Sequence, residues 1–247
     1  MRIKPVLINF ICMFILNKQK RNLLRTKLKF DTKWCRDFVY DYMGTKNLKL
    51  KSYVGHGCKN VIIVVDKKTC FKFPIDKKAN YNPEKEKLII DYFSTIVKFK
   101  LPKIEIIKHN GMYIKKYDFI DGVSIDDANR KLVKANISKI AAQITDFLFT
   151  LSTANPSVLK KFIPAHSKKP GFLYGWGHND IGGNFILNPK TMDIIGFIDW
   201  ESAAYGDLMP DIIIATRHWD RRGYDSLGVE IMQQYAKKYL QYVISKK

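Results

Sequence analysis

Between Gly177 and Asp211 the chain gathers groups that hold hard cations and move protons: His178, Asp180 and Asn184, then Asp199, Glu201 and Asp207. Two short apolar runs, Phe185–Leu187 and Ile194–Ile198, lie between the two polar sets and flank an Asn188-Pro189 turn, a pattern that spells a β-hairpin. A hairpin brings its ends together, so Asp180, Asn184 and Asp199 are expected to converge in space. Two carboxylates and an amide oxygen at one place form a hard-oxygen donor set of the kind that suits Mg²⁺. Taken singly, each of these side chains has a plainer role capping a turn. The joint pattern is what points to a site.

The elements that must carry these groups read as β-rich first and helix-rich later. Trp34 to Met43 has the pattern of a short helix ended by Gly44. From Leu48 to Pro74 the pattern becomes three antiparallel strands, with a Gly55-His56-Gly57 turn after the first and the β-branched run Val61 to Val65 as the second. The third, Cys70 to Phe73, carries Lys72 on the face opposite Phe71 and Phe73. A helix follows, capped by Asn82 with Pro83 in its first turn and Ile89, Ile90, Phe93, Ile96 and Val97 at helical spacing. Glu86 shares that apolar face, and an inward Glu needs a partner, for which Lys72 is the natural choice; Glu84 is the competing glutamate. Ile104 to Ile107 and Met112 to Ile120 add two strands. Beyond Gly122, a stripe from Ile137 through Phe147 to Leu151 is strongly helical. The fold class is therefore α+β, in two lobes joined near residues 117–122.

Composition bounds the alternatives. The 247 residues suffice for one large domain or two lobes around a cleft. The net charge of +20 would suggest a nucleic-acid partner, but residues 171–247 hold 9 acids against 8 Lys and Arg, and no recognition motif accompanies the charge. No specific nucleic-acid partner is expected. Cys12, Cys35, Cys58 and Cys70 show no metal-ligand spacing, and reduced thiols in a cytoplasmic protein are the expectation. Residues 1–30, with 8 basic side chains and no acid, read as an N-terminal extension. Its apolar run from Pro5 to Leu16 is shorter than the roughly 20 residues a membrane span needs.

The motifs resemble those of the aminoglycoside phosphotransferase and choline kinase family, relatives of the protein kinases. His178-Asn179-Asp180 is similar to the family's catalytic loop, Ile198-Asp199-Trp200-Glu201 to its metal-binding segment, and Gly206-Asp207 with Asp211 to the stretch that follows. The resemblance implies a protein-kinase-like fold: a small antiparallel β-sheet N-lobe with one helix at 31–120, and a mainly helical C-lobe at 121–247. It implies ATP and Mg²⁺, with Asp180 accepting or orienting the proton of a substrate hydroxyl and with Asn184 and Asp199 as metal ligands. His178 would support the loop, and Asp207 and Asp211 would brace the lobe. Gly55 and Gly57 would cover the phosphates, Lys72 would contact them beside Glu86, and Tyr117 to Phe119 would form the hinge whose backbone meets the adenine. The sequence departs from the family at one point. The family's Asn lies five residues after the Asp, whereas Asn184 lies four after Asp180, and Phe185 fills the expected position. Gly182-Gly183 could tighten the loop; otherwise the amide does not reach the metal in the usual way.

These features imply an ATP- and Mg²⁺-dependent phosphotransferase acting on a hydroxyl group of a small molecule that is aminoglycoside-, choline- or sugar-like. The alternative is a catalytically weak or inactive pseudokinase that binds nucleotide. On the acceptor side the sequence offers acids (Asp220, Asp225, Glu230) and bases (Arg217, Arg221, Arg222), which suit opposite substrate charges.

Overall fold

The computed structural model describes residues 32–54, 60–74, 82–164 and 174–245. The basic segment 1–30 and the Gly55-His56-Gly57 turn lie outside these residues. The chain divides into two units, one holding the residues up to Pro83 together with Ile104–Phe119, the other Glu84–Lys103 and the chain from Ile120 on.

The first unit is a five-stranded antiparallel sheet in the order β1-β2-β3-β5-β4, formed by β1 (Leu50–Val54), β2 (Asn60–Val65), β3 (Thr69–Pro74), β4 (Glu105–His109) and β5 (Met112–Asp118). The run of β-branched residues makes β2 a central strand. Its Val61, Ile63 and Val65 share one face with Phe71 and Phe73 of β3 and Ile114 of β5. Helix α1 (Lys33–Met43) covers that face with Cys35 and Val39, both fully buried. Trp34 and Phe38 each meet Phe73 edge-on, at 5.3 and 5.6 Å between ring centroids. Each fully buried Phe contributes about 1.5–3 kcal/mol relative to exposure. The opposite face of β3 and β5 carries Lys72 and Lys115, register partners across the two strands and both buried.

The second unit begins with α2 (Pro83–Phe93). Helical spacing in the sequence runs on through Ile96 and Val97, but the helix ends at Phe93. Ser94 and Thr95 donate their hydroxyls to the carbonyls of Asp91 and Tyr92, closing the last turn, and Ile96 is left exposed. Phe93 packs edge-on against Trp176 and stacks on Trp200. The rest of the unit holds β6 (Val123–Ser124), α3 (Arg130–Ala135), α4 (Ile137–Thr153), β7 (Tyr174–Gly177), β8 (Phe185–Leu187), β9 (Ile194–Phe197), β10 (Ala204–Asp207), α5 (Met209–Asp220) and α6 (Asp225–Ser245). The apolar stripe of α4 is buried as its spacing requires, from Ile140 through Phe147 to Leu151. Phe147 stacks on Phe197 of β9 with centroids 3.6 Å apart, which fixes the hairpin strand against the helix. Helix α6 lies against α4 and α5, and Tyr235 donates its hydroxyl to Ser152 at 2.7 Å. Sheet β6-β8-β9 and the pair β10-β7 hold the segments between which the polar residues sit.

Candidate active site

The hairpin read from the sequence is present: β8 pairs with β9 antiparallel, Phe185 opposite Phe197. Before it, the chain leaves β7 at Gly177 and passes through residues 178–184, with a 3₁₀ turn at Ile181–Gly183. After it, Asp199 opens a second 3₁₀ turn, Trp200–Ser202. Ile198 is the joint. Its N–H donates to the Asn184 carbonyl at 2.9 Å, and its own carbonyl accepts from His178 Nε2 at 3.0 Å. The polar loop therefore grips the peptide immediately before Asp199 from both sides. The Asn179 side chain adds a third tie, donating to the Ser202 carbonyl at 3.2 Å. Asn179 and Asp199 both have positive φ, 61° and 64°, a conformation that Asn and Asp tolerate better than most residues.

Asp180, Asn184 and Asp199 all belong to this second unit and lie at its loop–hairpin junction. The Asn184 amide donates to the Asp180 carbonyl at 2.7 Å, bridging the shortened loop. The carboxyl of Asp180 titrates above the ordinary Asp value, first because it is half-buried and next because the Asp199 carboxylate is near; Glu201 adds to this, while His218 and Asn184 oppose it. His178 is fully buried, and burial holds its pKa down at about 4, so it is neutral. A carbonyl can only accept, so Nε2 carries the proton, and buried Nδ1 has no partner among the described residues. His178 is thus a structural donor rather than an acid or base.

Two further acids stand at the start of α5. Asp207 accepts the Met209 N–H at 2.9 Å, starting α5. Asp211, on the first turn of α5, is 1% exposed, and burial pushes its pKa up to about 6. Its carboxylate faces the backbone N–H groups of Asn179, His178 and Ile181, which favour the ionised form, but closes no hydrogen bond of full geometry among the described residues. Gly177 makes room for it, since a Cβ there would lie 2.7 Å from Asp211 Oδ2.

The donor set fits a magnesium ion only with help from a ligand. Among the described residues no group of three or more His, Cys, Asp and Glu side chains is placed to hold a metal. Two mutually repelling carboxylates plus one amide oxygen are what remains. Mg²⁺ is commonly held in this way, by one or two carboxylates together with substrate phosphates.

In the first unit, Lys72 is 6% exposed on the sheet face away from α1. Glu86, on α2 of the second unit, is also 6% exposed, whereas Glu84 is exposed. The expected hinge lies at the end of β5. Tyr117 pairs with Cys70, and Phe119 N–H donates to the Lys68 carbonyl at 2.8 Å, so Phe119 has its carbonyl rather than its amide to offer a base. Gly55 and Gly57 fall outside the described residues.

His218 and Lys115 escape the sequence reading, and Arg222, read there as an acceptor-side base, stands against the loop. His218 lies over Gly182, 2.9 Å from where a Cβ would stand, and Arg222 lies 3.1 Å from the same point of Gly183. Arg222 also pairs through both oxygens with Asp126 and donates to the His218 carbonyl, so it braces the loop rather than standing free for an acceptor. Their i, i+4 spacing is the one available signal, and it shows only once α5 and the turn that follows it are known. Lys115, beside Lys72, could be found from strand alternation.

Residues 127–242 match the model of the phosphotransferase enzyme family (APH). The chain resembles this family, and its fold is the protein-kinase-like, α+β fold of aminoglycoside phosphotransferases. Among solved structures it is similar to the GDP and kanamycin complex of APH(2")-IIIa, with TM-score 0.65 and 16% identity over 83% of each chain. It is also similar to ADP-bound APH(2'')-Ib, with TM-score 0.61 and 11% identity over 88% of this chain and 86% of that one. A third is APH(3'')-Id from Streptomyces rimosus with ADP and streptomycin, with TM-score 0.57 and 16% identity over 83% of this chain and 92% of that one. Comparison with curated protein sequences gives no match. Among the described residues no helix is long and apolar enough to cross a membrane.

Proposed function

We propose that this protein transfers the γ-phosphoryl group of ATP to a hydroxyl of a small molecule, with Asp180 as the catalytic residue. The observation that carries the reading is the junction at Ile198, where the loop holding Asp180 and Asn184 is hydrogen-bonded to the residue before Asp199. Asp180 takes the acceptor hydroxyl's proton as the oxygen bonds to the γ-phosphorus; the bond to the β,γ-bridging oxygen breaks, and ADP leaves. Its raised pKa makes Asp180 a stronger base than a free aspartate. Asp199 and Asn184 would hold Mg²⁺, which when bound neutralises charge on the phosphate oxygens. Lys72 is assigned to the phosphates and Glu86 to Lys72, while the backbone from Tyr117 to Phe119 is assigned to the base and Gly55 and Gly57 to covering the phosphates. A cytoplasmic setting, where Mg·ATP is plentiful, suits this chemistry.

Aminoglycoside-, choline- and sugar-like acceptors all remain in the class. Arg222 is paired with Asp126 and Glu230 accepts the Ser138 hydroxyl, so each sign of charge loses one of the acceptor-side groups. The test is an ADP-release screen of amino and hydroxyl compounds with Mg·ATP and, in a parallel arm, Mg·GTP. Acceptor-stimulated release that Asp180→Asn abolishes supports the proposal. A second reading, nucleotide binding without turnover, rests on the four-residue spacing of Asp180 and Asn184; it gains if nucleotide binds and no acceptor stimulates release.

A further inference from the structure

One face of α5 runs along the loop from His178 to Gly183. Asp211, His218 and Arg222 follow one another at intervals of 7 and 4, which keeps them in line on the helix and the turn that continues it. They meet the loop in chain order. Asp211 faces the N–H groups of His178, Asn179 and Ile181. The His218 ring lies on Gly182, with Nδ1, Cβ and Cγ at 2.9, 3.0 and 3.1 Å from the point where a Cβ would stand. The Arg222 guanidinium lies 3.1 Å from the same point of Gly183. Any side chain at 182 would meet the imidazole, so the contact is open only to glycine.

Both contacts fall where the loop is short. Asn184 stands four residues after Asp180, and Gly182 and Gly183 lie within that span. Arg222 is itself held: its guanidinium pairs with both oxygens of Asp126, Nη1 donates to the His218 carbonyl at 2.8 Å, and its own carbonyl accepts from Arg130 at 2.6 Å. The stretch that carries His218 is thus tied to the segment after β6. Asp180 lies two residues before Gly182. The carboxylates of Asp199 and Glu201 oppose its ionisation, whereas His218 and Asn184 favour it. Of these four side chains only the imidazole can carry a positive charge. A carboxylate that takes a proton has to be ionised and aimed, and a displacement of about 1 Å costs on the order of 10²-fold in rate.

We infer that His218 is a positioning residue for Asp180: seated on Gly182 and held by Arg222, it fixes the shortened loop so that the carboxylate faces the acceptor hydroxyl. The inference rests on the reading of Asp180 as the catalytic residue.

Hydrogen–deuterium exchange and ADP release by the full chain test it, with Mg·ATP as the probe and water as the acceptor. In His218→Ala, residues 178–184 should exchange about tenfold faster or more while α4 is unchanged. The same variant should lose about 10- to 100-fold in kcat, with the Kd for Mg·ATP moved less than about twofold. The affinity holds because Asn184 is tied separately, through its carbonyl, to Ile198. His218→Asn returns a polar nitrogen near the place of Nδ1 and should recover kcat to within about threefold of the wild type. Asp126→Ala loosens Arg222 without touching the loop and should show the same split more weakly, which carries the test if His218→Ala does not fold. Unchanged exchange over 178–184 overturns the inference alone, as does unchanged kcat where Asp180→Asn abolishes release. So does a fall in kcat matched by an equal loss of Mg·ATP affinity, or a His218→Asn variant no more active than His218→Ala. Release that Asp180→Asn leaves intact, or no release by the wild type, overturns the reading of Asp180 and this inference with it.

Discussion

The side-chain amide of Asn184 donates to the backbone carbonyl of Asp180 at 2.7 Å. With its nitrogen engaged, the amide has only its oxygen left for a cation, and that oxygen is carried on the residue that closes the loop. The shortened spacing is thereby bridged by the residue whose reach it puts in question.

Asn184→Ala should therefore lose a ligand and a loop tie together. We expect the Mg²⁺ concentration for half-maximal activity to rise about 10- to 100-fold, the usual range for disturbed metal-site partners. Asn184→Asp keeps an oxygen but sets a third carboxylate beside Asp180 and Asp199 and removes the donor, so it should not restore activity. Magnesium titrations of initial rate decide the matter; an unchanged requirement in Asn184→Ala would mean that the amide serves the loop alone.

Asp180 and Asp199 should separate by their effects. Asp180→Asn is expected to abolish turnover and leave nucleotide affinity nearly intact, because the group acts on the acceptor. Asp199→Asn should damage both, since the metal neutralises phosphate charge in the ground and transition states alike. Nucleotide affinity measured for the two variants side by side checks this, and equal losses would contradict the division of roles.

The buried pair beneath the loop gives a pH signature. Burial lowers His178 from 6.5 to about 4, so the folded state binds fewer protons there and its stability falls as pH drops from about 6.5 to about 4. Burial raises Asp211 from 3.8 to about 6, so the folded state binds more protons in that window and gains stability as pH drops through it. The two effects oppose each other. Asp211→Asn removes the second, and the variant's stability relative to wild type should decline by about 2 kcal/mol between pH 7 and pH 4. Thermal melts across that range test it; parallel curves for the two proteins would show that Asp211 does not titrate as its burial implies.

Much of this is legible in the sequence because the governing signals are local. Alternation and β-branching mark β2 and β3, helical spacing marks α4, and the Asn188-Pro189 turn marks the hairpin that gathers Asp180, Asn184 and Asp199. Position in the apolar stripe favours Glu86 over Glu84, and Glu86 is the buried one. Helix α2 reads too long because the Ser94 and Thr95 hydroxyls end it without a Gly or Pro to mark the place. Helices α5 and α6 do not stand out, since the second is apolar on both faces and shows no single stripe. The place of His218 and Arg222 against the loop stays hidden for a related reason: they meet it through Gly182 and Gly183, and a close approach between distant segments leaves no period in the sequence.

Whether the residues at the Ile198 junction hold Mg·ATP for transfer is tested most directly by calorimetric titration of the full chain with ATP. Saturable binding is predicted with Mg²⁺ present, falling at least about tenfold when Mg²⁺ is withheld or Asp199→Asn is introduced. The absence of any nucleotide binding up to millimolar ATP with Mg²⁺, in a chain that melts cooperatively, would contradict the account.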